Sequence, residues 1–118
     1  MPKLSELIVK GLPLAPHQAV NKFFERLPDG SFSACALTTA AIGAAGSIQA
    51  VMECNMLISV QVWRGLGFGL DTPMESLKAV NPQHPDRGPQ YLIGVIMRLN
   101  DNGWTREQIV AWLQSIGQ

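Results

Sequence analysis

The sequence is poor in charge and in cysteine. Only 15% of its 118 residues are charged, against about 25% in a typical soluble domain. Its nine basic and nine acidic residues cancel, so the chain lacks the basic excess on which general nucleic-acid binding depends. Two cysteines exclude a scaffold built on several disulfides. A hydrophobic share of 47% supports a core, which excludes disorder, and the length predicts one domain over 1–118.

Long apolar runs are also missing. Residues 34–52 carry no charge before Glu53, but they are mostly alanine, glycine, threonine and serine and include Gln49. A membrane-spanning helix needs about 20 predominantly apolar residues, so a buried helix followed by a second core segment is the better interpretation. The N-terminus lacks the apolar run of a signal peptide. We therefore expect a cytoplasmic protein with free thiols and no membrane contact.

The middle of the chain has far fewer charged residues than the two flanking segments. Between Gly30 and Trp63, Glu53 is the only charged residue. Uncharged surface that the core cannot cover tends to bind another molecule. We therefore predict a homo-oligomer, with a dimer favoured, and a small apolar ligand or a protein as further partner. Trp63, Phe68 and Leu70 are candidate interface residues because aromatic side chains dominate interface energetics, although core packing would also explain them.

The spacing of apolar residues favours helices through most of the chain. It predicts helices over about 3–10, 36–45, 48–63, 72–80, 89–100 and 105–116. Thr105 and Gln108 form a capping box that marks the start of the last one. Segment 16–35 fits either a helix and a turn or a hairpin, and 57–63 also alternates like a strand. The predicted fold class is mainly α, a compact single-domain bundle of about five or six helices, with a short β-hairpin near 22–35 as the open alternative.

Small residues share one face of the predicted helix over 36–45, namely Ala36, Ala40, Gly43 and Ala44. Such a face lets another backbone approach closely. Two interpretations follow. One is tight packing inside the core, and the other is a homodimer contact across Ala40, Gly43 and Ala44.

Two stretches resemble a known group of proteins. One is Cys35-Ala36-Leu37, which opens the alanine-rich helix, and the other runs from Leu99-Asn100-Asp101 through Trp104-Thr105-Arg106-Glu107 to Trp112-Leu113. Together they resemble a group of small uncharacterised bacterial proteins that joins a Cys-Ala-Leu-Gly-Ala helix start to a C-terminal Leu-Asn-Asp segment. This chain departs from that pattern at Thr38, where the group has glycine, and it lacks a histidine near the Asn-Asp turn. The resemblance implies a helical bacterial protein and brings no function and no catalytic residue with it.

An enzyme based on Cys35 is one alternative function. A thiolate before a helix is stabilised by the unpaired N–H groups and the helix dipole. His17 or His84 would supply a base and Asp86 would orient it. The competing interpretation of Cys35 is a small buried apolar residue.

The sequence contains no pattern that predicts a metal site or a cofactor. The cysteines and histidines lack the local spacing of a metal site, and no cofactor is predicted. Glu53 is either exposed or paired with a cation such as Arg64 or Arg98.

A second alternative function is DNA binding. Helices 89–100 and 105–116 would form a helix-turn-helix that presents Arg106 and Gln108 to bases, against which the zero net charge argues. We expect instead a non-catalytic interaction or small-ligand-binding module that self-associates.

Overall fold

The structure, a computed structural model, describes residues 3–22, 24–49 and 77–118. In chain order they form α1 (Leu4–Gly11), β1 (His17–Gln18), β2 (Phe24–Arg26), β3 (Phe32–Ala34), α2 (Ala36–Ala45), β4 (Lys78–Val80), a 3₁₀ turn (Pro85–Arg87), β5 (Pro89–Tyr91), α3 (Leu92–Asp101) and α4 (Arg106–Ser115). The predicted bundle of five or six helices is wrong. Within the described ranges, helices are combined with five short strands in two small sheets.

Some predictions lie outside the described residues. They concern Glu53, Trp63, Phe68, Leu70 and the helix start at Thr72. Of the helix predicted over 48–63, only 48–49 are described, and both residues are helical.

The first sheet resolves the ambiguity of segment 16–35 in favour of a hairpin. Strands β2 and β3 pair antiparallel, with Phe24 opposite Ala34. Strand β1 pairs parallel with the other edge of β3, so β3 is the central strand of the sheet. The turn between β2 and β3 is closed by a hydrogen bond from the Leu27 N–H to the Ser31 carbonyl, 2.8 Å. Gly30 occupies the turn with φ 87°, a conformation that glycine adopts without strain. This turn reverses the chain, so a helix over 16–26 does not form.

The second sheet replaces part of two predicted helices. Strands β4 and β5 pair antiparallel, with Lys78 opposite Tyr91 and Val80 opposite Pro89. The helix predicted to end near Val80 is therefore wrong at 78–80, and the helix predicted from residue 89 begins at Leu92. Prolines occur repeatedly between residues 82 and 89, and a residue that precedes a proline disfavours the helical backbone conformation. The flanking segments are therefore free to extend and to pair.

Helices α1 and α2 pack with their backbones in contact. A Cβ atom built at Gly43 would lie 1.9 Å from the Leu7 carbonyl oxygen, and one at Gly11 would lie 2.0 Å from the Thr39 carbonyl oxygen. Side chains of any size at these two positions would hold the helices apart. The two glycines therefore set the distance between α1 and α2.

The small-residue face of α2 is used inside the chain. Ala40 and Gly43 are buried, and Ala44 is half-buried. A homodimer contact cannot use Ala40 or Gly43 while the rest of the chain covers them. Close packing, the other interpretation, explains their burial.

The core lies between the four helices. Its largest fully buried apolar side chains are Leu4, Ile8, Leu37, Ile42, Leu92, Val95, Ile96, Leu99, Ile109 and Leu113. The predicted capping box of α4 is confirmed, because the Thr105 hydroxyl accepts from the Gln108 N–H and the Gln108 side chain accepts from the Thr105 N–H. No helix in the described part of the chain has the length and apolar character needed to cross a membrane.

Candidate functional site

Cys35 caps the N-terminus of α2. Its Sγ accepts from the Thr38 N–H at 3.5 Å and lies 3.3 Å from the Thr38 hydroxyl. The residue is 5% exposed. Burial raises the pKa of the Cys35 thiol and the Asp101 carboxylate adds to the rise, while the hydrogen bonds from Thr38 act in the opposite direction without cancelling it. The thiol is therefore protonated at neutral pH.

Asn100 joins the start of α2 to the end of α3. Its Oδ1 accepts from the Ala36 N–H at 3.0 Å and from the Gln18 Nε2 at 3.0 Å. Its Nδ2 donates to the Ala19 carbonyl at 2.8 Å. Only 1% of the residue is exposed, so these bonds take the place of the hydrogen bonds that the side-chain amide would otherwise form with water. One side chain thus holds the edge of the first sheet and two helix ends together.

A pocket of about 230 Å³ opens beside these two residues. Its lining in the described part of the chain is Asn21, Lys22, Cys35, Ala36, Leu37, Ile96, Met97, Asn100 and Asp101. The apolar residues come from the facing turns of α2 and α3. The polar side chains come from the loop before β2 and from the end of α3. The pocket therefore combines an apolar wall with a polar wall, which is the usual composition of a small-molecule site.

Two charged side chains line this pocket, and they differ in whether they form an ion pair. The Lys22 ammonium forms an ion pair with Glu25. The Asp101 Oδ1 accepts from the Asn21 N–H at 2.9 Å and from the Asn100 Nδ2 at 3.4 Å. No basic group within the described ranges forms an ion pair with Asp101. The Asp101 carboxylate is thus the charge that the pocket leaves uncompensated.

Arg106 lies inside the protein, which corrects its proposed role in base recognition. The residue is 4% exposed, and its guanidinium donates to the Ala15 and Pro16 carbonyls at 2.6 and 3.0 Å and to the Thr39 hydroxyl at 3.1 Å. Burial lowers the pKa of this guanidinium from its usual value. Gln108 is engaged in the capping box. Arg106 is therefore not available to contact a base, and the side-chain oxygen of Gln108 is already bonded within the protein.

The predicted catalytic partners of Cys35 do not line the pocket. His17 lies in β1 and is exposed, His84 precedes the 3₁₀ turn and is half-buried, and Asp86 lies in that turn and is exposed. In the described residues, no hydrogen bond joins either histidine to Cys35. A thiol with a raised pKa and no adjacent base is a poor nucleophile. The same part of the chain contains no group of three His, Cys, Asp or Glu side chains that could hold a metal ion.

Cys35 gives a direct prediction about pH. Because its thiol pKa is higher in the folded protein than in the unfolded chain, the unfolded state loses the proton first. The free energy of unfolding should therefore fall as pH rises above the ordinary value of 9.0. The contribution should be fully present at neutral pH. Urea midpoints of the wild type and of Cys35→Ala should thus converge or reverse between neutral and alkaline pH.

Alkylation supplies the companion measurement. Site-resolved mass spectrometry should show native Cys35 reacting much more slowly at neutral pH than it does in urea. Rapid native alkylation at neutral pH would contradict a raised pKa and would favour the nucleophile hypothesis.

Sequence patterns identified Cys35 but not the rest of the site. Asn100 opens the run Asn-Asp-Asn-Gly over 100–103, which is typical of a helix end. It also stands four residues after Ile96 and eight after Leu92, on the apolar face of α3. An asparagine on a buried face needs internal partners, and this signal could have identified it. Nothing local in the sequence indicates that Lys22, Met97 and Asp101 meet at one pocket.

No protein-family model, no curated protein and no solved structure matches the chain.

Proposed function

We propose that the protein is a non-catalytic module that binds a small ligand in the pocket between α2 and α3. The observation that supports this proposal is the pocket of about 230 Å³ with one apolar and one polar wall. An apolar cavity of about 150 Å³ already accepts benzene. The pocket therefore has room for a ligand with two fused rings or a comparable aliphatic group.

The hydrogen bonds around the pocket favour binding without rearrangement. Asn100 fixes the first amide of α2 and the Ala19 carbonyl, and Asp101 fixes the backbone of Asn21. Asn21 has φ 59°, a conformation uncommon outside glycine, and its hydrogen bond to Asp101 holds it there. A pocket whose walls are already ordered loses little conformational entropy when a ligand enters.

The chemistry of the pocket favours binding over catalysis. Its thiol has a raised pKa, and neither histidine of the described residues lines it. A proton-transfer step needs a group with a pKa near the working pH and within hydrogen-bond reach of the reacting atom. Self-association remains a prediction from composition, because Trp63, Phe68 and Leu70 lie outside the described residues.

Indole, a neutral molecule with two fused rings, is a suitable first probe. We expect it to bind with a Kd on the order of 1 mM, as judged from ordinary ligand efficiencies. A ¹H–¹⁵N titration should shift the amide signals of Ala36, Leu37 and Met97 more than those of α1. Shifts confined to another surface, or none at all, would contradict the proposal.

A blocking variant provides the control. Met97→Trp should fill the pocket and abolish the indole-induced shifts while the folded spectrum is retained. Val9→Trp adds the same ring to an exposed position of α1, where Val9 is 48% exposed, and should leave indole binding unchanged. Equal effects of the two variants would argue against this pocket.

A further inference from the structure

We infer that the pocket selects a ligand that carries an ammonium group next to an apolar, ring-sized body. The inference rests on the proposed function and adds the charge of the ligand to it. The feature that carries it is the Asp101 carboxylate at the polar wall of the pocket. A ligand cation placed there would give Asp101 the charge partner that the described part of the chain does not supply.

Asp101 lies at a position that favours a cation beside it. It is the last residue of α3, where the helix dipole is negative and favours cations. Two N–H groups donate to its Oδ1, but in the described part of the chain no lysine or arginine pairs with it. An ammonium group at this wall would offset both the negative charge of the carboxylate and the negative end of the helix dipole.

The second charged residue of the wall does not reverse this preference. Lys22 lines the pocket, but its ammonium is already paired with Glu25 on β2. An anionic ligand would have to compete with Glu25 for that ammonium. It would also lie close to Asp101, and like charges in proximity oppose binding.

The start of α2 is also a poor site for an anion. Helix N-termini bind anions through unpaired backbone N–H groups. Here the Ala36 N–H donates to the Asn100 Oδ1 and the Thr38 N–H donates to the Cys35 Sγ. Side chains of the protein thus occupy two of the donors that an anion would need. This weakens the start of α2 as an anion site and leaves the Asp101 carboxylate to set the charge preference of the pocket.

The apolar wall indicates a ring as the body of the ligand. Leu37 and Ile96 lie at the floor of the pocket with almost no exposed surface, and Cys35 and Met97 bring two sulfur atoms to its lining. Divalent sulfur makes favourable contacts with aromatic rings. An aryl-alkyl amine therefore satisfies both walls at once.

Three ligands with the same indole ring test the inference. Tryptamine carries an ammonium group, tryptophol has a hydroxyl group in its place, and indole-3-acetate carries a carboxylate. We expect tryptamine to bind the full chain about fivefold more tightly than tryptophol and indole-3-acetate to bind most weakly. Isothermal titration calorimetry at low and high salt should show this preference shrinking as salt screens the charges.

Two variants locate the charge effect. Asp101→Asn keeps an oxygen acceptor for the Asn21 N–H and should remove the preference for tryptamine while tryptophol binding is retained. Lys22→Gln should leave the preference intact or increase it. A preference that survives Asp101→Asn, or that disappears in Lys22→Gln alone, overturns the inference.

The outcomes separate this inference from the proposed function. Equal binding of all three ligands, or tightest binding of indole-3-acetate, would overturn the charge preference and leave a small-ligand pocket. Failure of all three ligands to bind, together with no shifts by indole, would overturn the pocket and the charge preference alike.

Discussion

Gly43→Ala is expected to destabilise the protein by about 3 kcal/mol or more, at the upper end of overpacking effects. The new Cβ atom would lie 1.9 Å from the Leu7 carbonyl oxygen, and backbone atoms cannot turn aside as a flexible side chain can. Helix α1 would have to move away from α2, and both helices contribute buried leucine and isoleucine to the core. Alanine favours an isolated helix over glycine by about 1 kcal/mol, so the loss would run against helix propensity. Urea unfolding followed by circular dichroism measures it.

Gly94→Ala is the matched control. Gly94 also lies within a helix, α3, but among the described residues no atom beyond its chain neighbours and its own helix backbone lies within 4 Å of a Cβ built there. The same substitution should therefore stabilise the protein by about 0.5–1 kcal/mol. Equal effects at Gly43 and Gly94 would contradict close backbone packing of α1 on α2.

Asn100→Ala is expected to destabilise the protein by about 3–5 kcal/mol. The substitution removes the partners of the buried Ala36 N–H and Ala19 carbonyl, and each buried polar group left without a partner costs about 1–3 kcal/mol. It also leaves a cavity at a site that is 1% exposed, which adds to the loss. The same urea measurement reports the effect. Loosening of α2 should also make Cys35 react faster with alkylating reagents.

Asn102→Ala tests whether the effect belongs to the buried network. Asn102 lies two residues further along, is exposed and donates one side-chain hydrogen bond, to Gln83. Its removal should change stability by less than about 0.5 kcal/mol. A small effect at Asn100, similar to that at Asn102, would be incompatible with its role as a connection between α2, α3 and the first sheet.

The parts of the fold that the sequence predicts correctly are those with local causes. The capping box of Thr105 and Gln108 involves residues three positions apart, and α4 begins where it indicates. Helix α2 occupies Ala36–Ala45 as predicted. In both helices the start signal and the helix itself lie in the same short segment, so no distant contact is needed to define them.

The hairpin of β2 and β3 is the alternative that the sequence leaves open near 22–35, but strands β1, β4 and β5 escaped prediction because distant partners define them. Strand β1 has two residues and pairs with β3, and two residues are too few to show an alternating pattern. Strands β4 and β5 have three residues each, and Pro89 and Tyr91 on β5 are exposed. Such segments become extended because a partner strand is present. Their own apolar pattern does not favour a strand over a helix.

The candidate site was only partly predictable for the same reason. Cys35 was identified because a residue before a helix has a recognisable environment. The DNA-binding alternative presents Arg106 to bases, yet three acceptors from distant parts of the chain enclose its guanidinium. The pocket itself depends on the meeting of α2 and α3, which no spacing within either helix reveals.

The long-range bonds of Asn100 and Arg106 also constrain the order in which the protein can acquire its structure during synthesis. They join atoms 81 and 91 residues apart, at Ala19 and Ala15. A ribosome adding about 5–20 residues per second releases the earlier partners several seconds before the later ones. During that interval α1, α2 and the first sheet have neither the amide nor the guanidinium that completes them. We therefore expect the nascent N-terminal half to remain open to proteases and chaperones until the segment that contains α3 and α4 has left the ribosome.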